Sequence, residues 1–152
     1  MIAAGGLSQQ KARKIKNLLA QLEELFGKPT LAPLKHLPDQ DCEQLLLSLH
    51  GVGKKTARCV MMYSLGRRVF PVDLHCWRIS RRLGWVRPTR PDGSCGPKDM
   101  DRLQEKIPPH LRFSLHVNMV SLGRSICTPR QPQCSCCPIR SRCRKIGAAP
   151  GA

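Results

Sequence analysis

Acidic residues, aromatics and long apolar runs are all scarce in this chain of 152 residues. Ten Asp and Glu stand against 26 Lys and Arg, a formal net charge of +16. Such a surplus favours a polyanionic partner, either nucleic acid or an anionic membrane surface. No apolar run reaches the roughly eighteen residues of a membrane span. The opening Met1-Ile2-Ala3-Ala4-Gly5-Gly6 lacks the charged and apolar regions of a signal peptide. A basic helix lying on a membrane would want aromatics, and these are only 4% of the chain. The expectation is therefore a nucleic-acid partner and no membrane. Strand patterns and internal repeats are missing too, which leaves an all-α fold with one modest core.

Cysteine is not scarce. Nine of them, without an export signal, point to a reducing intracellular compartment and to metal ligands or buried thiols rather than disulfides. Cys127, Cys134, Cys137 and Cys143 are spaced C-x6-C-x2-C-x5-C. Four thiolates crowded into a short loop would repel one another without a cation, and the set suits a tetrahedral zinc or a four-iron cluster. Zinc sites more often use two C-x-x-C knuckles, whereas only Cys134 and Cys137 form one here, so the spacing leans to the cluster with zinc left open. Cys136, inside the gap, is either a competing ligand or a thiol pointing away. Cys42, Cys59 and Cys76 fall in helical segments and read as small core residues, and Cys95 as a loop spectator.

Apolar residues recur at helical spacing from Ser8 to Phe26, through Ala12, Ile15, Leu18, Leu19, Leu22, Leu25 and Phe26, and Gly27 with Pro29 ends that helix. A short helix to about Leu49 is expected after Asp39 or Asp41 as its cap. Gly51-Val52-Gly53 then makes a tight turn before a second helix that ends near Gly66. Glycines there allow positive φ and close approach of another molecule. The N–H groups and dipole at the second helix's start favour an anion, and Lys54 and Lys55 add charge. Taken alone, the turn favours the reading of an ordinary helix connection with solvated lysines. Past Pro71, Asp73 is placed to cap a helix through about Leu83, in which Trp77, Ile79 and Leu83 read as core, His75 as packing or phosphate-facing, and Arg78, Arg81 and Arg82 as divided between solvent and DNA. Further helices are expected from Pro97 or Lys98 to about Ile107 and from Leu111 to Ser125, the last with Leu111, Leu115, Met119, Leu122 and Ile126 on one face.

The string Leu-x-Gly-Val-Gly-Lys-Lys-Thr-Ala, followed at this spacing by Val72-Asp73-Leu74-His75, resembles the helix-hairpin-helix DNA glycosylases of the endonuclease III family. The four-cysteine spacing matches that family's [4Fe–4S] loop. The resemblance runs from about Ile2 to Cys143. It implies a helix-hairpin-helix glycosylase fold over residues 1–126, an iron–sulfur loop over 127–143 and a disordered tail over 144–152. It implies Lys55 as catalytic lysine and Asp73 as second catalytic residue, Gly51, Val52, Gly53 and Lys54 as phosphate contacts, and His75 as a further DNA-binding residue. Lys55 would attack a sugar as a neutral amine, its pKa lowered by partial burial, by Lys54 and by the helix N-terminus. Gly6-Leu7 before Lys11-Ala12 resembles the segment carrying a DNA-wedging leucine, which makes Leu7 the candidate wedge; an ordinary helix-leading apolar residue is the alternative. Arg130, Arg140, Arg142, Arg144 and Lys145 would form a metal-ordered basic loop on the DNA backbone.

Two departures accompany the resemblance. The family usually has Pro before the first hairpin glycine, and this chain has His50. Family members also carry roughly another half domain before the position matching Ile2, so the fold is expected to be N-terminally truncated, with a partner covering the face those helices would occupy. The function implied is base excision repair: a bifunctional glycosylase and apurinic/apyrimidinic lyase on double-stranded DNA with a damaged base or abasic site, oxidised pyrimidines being the usual substrates, in a nucleoid-associated, cytoplasmic protein. Phe-Pro-Val-Asp and Arg-Leu-Gly-Trp-Val also resemble the plant 5-methylcytosine glycosylases, which leaves the lesion open. The competing readings are a non-catalytic helix-hairpin-helix/iron–sulfur DNA-binding fragment and a zinc-dependent interaction domain.

Overall fold

The computed structural model describes residues 8–148, in two compact units that divide between Arg67 and Arg68. Among the described residues all regular structure is helical, as expected, and no helix is long and apolar enough to cross a membrane. Leu7 lies outside the described residues.

The first unit holds α1 (Ser8–Phe26), a 3-10 turn (Ala32–His36), α2 (Asp39–Ser48) and α3 (Lys54–Tyr63). Its buried side chains include Leu22, Leu34, Cys42, Leu46, Leu49, Ala57 and Met61. The bounds of α1 are as the periodicity predicts, but its apolar stripe is not a buried face. Only Leu22 is buried, while Ile15, Leu19 and Leu25 are exposed. The cap of α2 also differs from expectation. Its N-cap is Pro38, and no side chain caps it. Asp39 and Asp41 instead sit in the first turn, where the dipole favours carboxylates. Asp39 pairs with Arg67, whose guanidinium also donates to the carbonyls of Leu34 (2.8 Å) and Leu37 (2.6 Å) and so ties the proline-rich connector to the end of the unit.

The second unit holds α4 (Leu74–Leu83), α5 (Pro97–Glu105) and α6 (Arg112–Ser125), with 3-10 turns at Pro109–Leu111, Cys134–Cys136 and Arg140–Arg142. Phe70, Val72, Trp77, Ile79, Leu103 and Met119 are among the residues of its core. Helices α4 and α6 pack closely because residue 123 has no side chain. A Cβ on Gly123 would come within 2.6 Å of His75 Cβ. Gly84, at φ +78°, ends α4 in the left-handed conformation. The loop after it is held from inside: Trp77 Nε1 donates to Gly93 O (2.9 Å), and buried Asp99 accepts from the Thr89 hydroxyl (2.9 Å) and the Gly96 N–H (3.1 Å).

Two expectations for this unit need correction. Of the expected face of α6, Met119 is buried and Leu115 and Leu122 pack against the core, but Leu111 is exposed, and His116 and Gly123 are buried beside them. The helix is apolar on several sides, so an apolar stripe alone does not identify which side packs. The arginines of α4 are engaged within the protein. Arg78 donates to Cys127 O (2.8 Å) and Gly123 O (2.7 Å), Arg81 donates to Gly93 O (3.3 Å), and Arg82 is buried.

Candidate active site and cysteine cavity

The hairpin is built by α2, the turn and α3. Gly51 has φ +81°, which an L side chain would strain against. Gly53 is different: its φ is −93°, and a Cβ on it would meet nothing within 4 Å. Neither a positive φ nor internal packing requires glycine at 53; its N-cap position favours glycine, and the open space beside it allows close approach of an outside molecule. Gly53 is the N-cap of α3 and supplies no side-chain cap, which leaves the first N–H groups of that helix to outside acceptors. Lys14 of α1 lies alongside, its Cδ 4.0 Å from a Cβ built on Gly51. That singles out one lysine from the basic face of α1.

Behind the turn an ion pair clamps the two helices. Arg58, only 2% exposed, donates from Nε to Glu43 Oε1 at 2.6 Å. Lys54 also leans to Glu43, with Nζ 4.0 Å from Oε2. Lys55, on the second position of α3, is exposed. The partial burial expected of this lysine is therefore not found within this chain. The backbone of His50, where the family pattern has proline, donates its N–H to Gln21 Oε1 of α1 at 2.8 Å.

Asp73, in the second unit, is the N-cap of α4 and accepts from the Cys76 N–H at 2.8 Å. Burial pushes its carboxyl pKa up. Hydrogen bonds from the Cys76 backbone and thiol, with the charges of His75 and His116, more than offset that and hold it below the ordinary carboxylate value. The cap and the candidate catalytic carboxylate are thus the same group. His75 packs against Gly123, and its Nδ1 lies 3.0 Å from Arg78 Nη2.

Cys127, Cys134, Cys137 and Cys143 line a single small cavity, together with apolar groups such as Ile79, Leu83, Leu122 and Ile139 and with Arg82. Cys136 is not part of that wall; it is exposed and its thiol donates to Gln133 O at 3.4 Å. Among the described residues, no three His, Cys, Asp or Glu form a group that could hold a metal ion. One wall of the cavity is cationic. Arg82, 4% exposed, donates to Cys127 Sγ at 3.1 Å and to the carbonyls of Thr128 (2.8 Å) and Pro129 (2.9 Å). A buried guanidinium without a carboxylate among these partners is stabilised by a thiolate beside it. The Lys145 N–H points to Cys143 Sγ at 3.4 Å. Arg130, Arg140, Arg142 and Arg144 are exposed around the loop.

Sequence reading missed Glu43–Arg58, Arg82, Asp99 and His116. Only His116 left a signal, since 116, 119 and 123 share helical spacing.

No family model matches the chain. It is 30% identical over 161 residues to the DNA glycosylase/AP lyase ROS1 of Arabidopsis thaliana, covering 97% of this chain and 12% of that protein. It is 34% identical over 143 residues to endonuclease III of Thermotoga maritima, covering 94% of this chain and 61% of that protein. A solved structure of a trapped endonuclease III–DNA covalent intermediate superimposes with a TM-score of 0.74 at 30% identity, covering 94% of this chain and 61% of that one. The chain thus spans about three-fifths of its endonuclease III relatives and about an eighth of the plant protein.

Proposed function

On the premise that this chain is a homologue of endonuclease III and of ROS1, and carries an endonuclease III-like fold over part of that enzyme's length, we propose that it is a base excision DNA glycosylase with abasic-site lyase activity. The observation that carries this reading is the hairpin: Gly53, with open space where a Cβ would stand, lies directly before the start of α3, where Lys54 is half-buried and Lys55 is exposed.

In the proposed reaction the N–H groups of Gly51, Val52 and Gly53, with the charge of Lys54 and Lys14, hold a phosphate beside the lesion. The damaged nucleotide leaves the stack, since its sugar carbon is otherwise out of reach. Lys55 Nζ donates its electron pair to C1′. The bond from C1′ to the base breaks and the base departs with that pair and a proton. The C1′–O4′ bond then breaks as the nitrogen forms a double bond to C1′, and the remaining amine proton passes to O4′, which opens the ring and gives a Schiff base. Removal of a C2′ proton then expels the 3′ phosphate and cuts the strand. A lysine ordinarily titrates near 10.4. Asp73, ionised at neutral pH, supplies negative charge to the sugar cation as the base leaves.

Cys127, Cys134, Cys137 and Cys143 would hold a [4Fe–4S] cluster, with zinc the lesser reading. Four thiols facing one cavity beside a buried arginine fit such a group by donor chemistry. Its contribution when bound is structural order, which keeps Arg140, Arg142 and Arg144 in place for the backbone of damaged double-stranded DNA. His75 is a packing residue by its contacts, and a DNA contact from it is the secondary reading.

Borohydride trapping on a duplex with one abasic site, with wild type and Lys55→Ala, tests the proposal. A covalent adduct absent from the variant supports a Schiff base through Lys55. An adduct that persists moves the nucleophile, Lys54 first. No adduct from folded, metal-loaded protein sinks the enzyme reading and leaves a DNA-binding module.

A further inference from the structure

Behind Asp73 sits a buried polar pair that the proposed reaction does not use. His116 of α6 is 4% exposed in an otherwise apolar core. Its Nδ1 is 2.9 Å from Pro71 O and 3.5 Å from Cys76 Sγ. A carbonyl can only accept, so Nδ1 carries the proton and donates to Pro71. Cys76 is itself fully buried and its thiol also hydrogen-bonds the Asp73 carboxylate. Because His116 Nδ1 is committed as a donor to Pro71, it cannot take the thiol proton. That proton is left for Asp73. Phe70, edge-on to the imidazole with centroids 5.9 Å apart, fixes the ring plane.

We propose that His116 and Cys76 are positioning residues for Asp73: His116 pins the Pro71 carbonyl two residues before it, and Cys76 holds the carboxylate through both its N–H and its thiol. The pair reaches Asp73 from two sides. One acts on the extended segment that delivers the residue, the other on the oxygens it would present. Neither side chain is exposed, so neither needs to touch DNA. The other titratable group near the carboxylate is His75, on the same helix, which Arg78 engages. The buried donors therefore set the carboxylate's direction as well as its charge. The inference rests on the reading that Asp73 takes part in the reaction.

The test uses the full chain and two readouts. The first is the Asp73 carboxyl pKa, from ¹³C NMR titration with Asp73→Asn for assignment, in wild type, Cys76→Ala, Cys76→Ser, His116→Phe and His116→Gln. The second is the single-turnover borohydride trapping rate on an abasic duplex, with DNA affinity measured alongside. Loss of the thiol or imidazole donor in Cys76→Ala and His116→Phe is expected to raise the Asp73 pKa and slow trapping about tenfold, the scale of a misplaced reacting group, with affinity unchanged. Serine at 76 keeps a donor to the carboxylate and is expected to restore both, whereas glutamine at 116 keeps only the donor to Pro71 and is expected to restore the rate. If Cys76→Ala and a folded His116→Phe leave the pKa and the rate at wild-type values, the proposal is overturned. If the pKa rises as expected but Asp73→Asn traps as fast as wild type, the positioning stands and the catalytic reading of Asp73 fails. Should His116→Phe not fold, Cys76→Ala against Cys76→Ser decides alone.

Discussion

Two arginines are buried in this protein, and they are satisfied in opposite ways. Arg58, in the first unit, meets the carboxylate of Glu43. Arg82, in the second, meets a cysteine sulfur and two loop carbonyls. A guanidinium cannot shed its charge, so each needs an anion or a dense set of dipoles nearby. The hairpin supplies its own anion and is electrostatically complete as drawn by its sequence. The cysteine loop offers Arg82 a sulfur and carbonyl dipoles in place of a carboxylate, so its order is expected to depend on what the sulfurs carry. The lesson is that one unit is self-sufficient and the other conditional.

The sharpest way to break this contrast is to take away a thiol. Cys134→Ser is expected to abolish the visible absorbance of a bound cluster and to open Arg140, Arg142 and Arg144 to trypsin, with the hairpin unit still protected; an unchanged spectrum and digest would refute the conditional loop. Next, Glu43→Gln replaces the carboxylate beside buried Arg58 with a neutral amide. The loss should be about 3 kcal/mol, the lower part of the range for breaking a buried ion pair because Glu43 keeps some solvent, read as a fall in the urea midpoint. Arg82→Gln removes one donor to Cys127 and orphans loop carbonyls, for about 2 kcal/mol. It should also speed loss of the bound metal to a chelator, an effect that Glu43→Gln should lack.

The smallest effect concerns acid. The folded-state pKa of Asp73 lies below its unfolded value, so its stabilisation is fully present above the unfolded carboxylate range, near pH 4, and is lost as pH falls through the folded value. The difference in Tm between wild type and Asp73→Asn should therefore shrink steadily below about pH 4. A gap independent of pH would mean that Asp73 acts on the fold through packing alone.

Much of this was legible in the residues, and the reasons differ by region. The hairpin and α4 could be read because glycine, proline and a capping aspartate act locally, within a turn of where they stand. The four-cysteine loop could be read because its donors are close in sequence. Arg58 and Arg82 could not. Arginine reads as surface charge until its partner is known, and those partners lie fifteen and about forty-five residues away. The stripe of α1 misled because periodicity shows which side could pack, not whether anything packs there. The partial burial expected of Lys55 failed because it concerned a neighbourhood that this chain does not build around the amine.

The hydrogen bond from His50 to Gln21 has a genetic consequence. Proline at 50 would stiffen the turn through its own ring and could not donate; histidine leaves an N–H that a different helix must answer. The two positions are therefore epistatic. Gln21→Ala is expected to be harmful beside His50 and close to silent beside proline, while His50→Pro would release position 21 from its constraint. What looks like a departure from the family pattern at one residue is, on this view, half of a compensated pair.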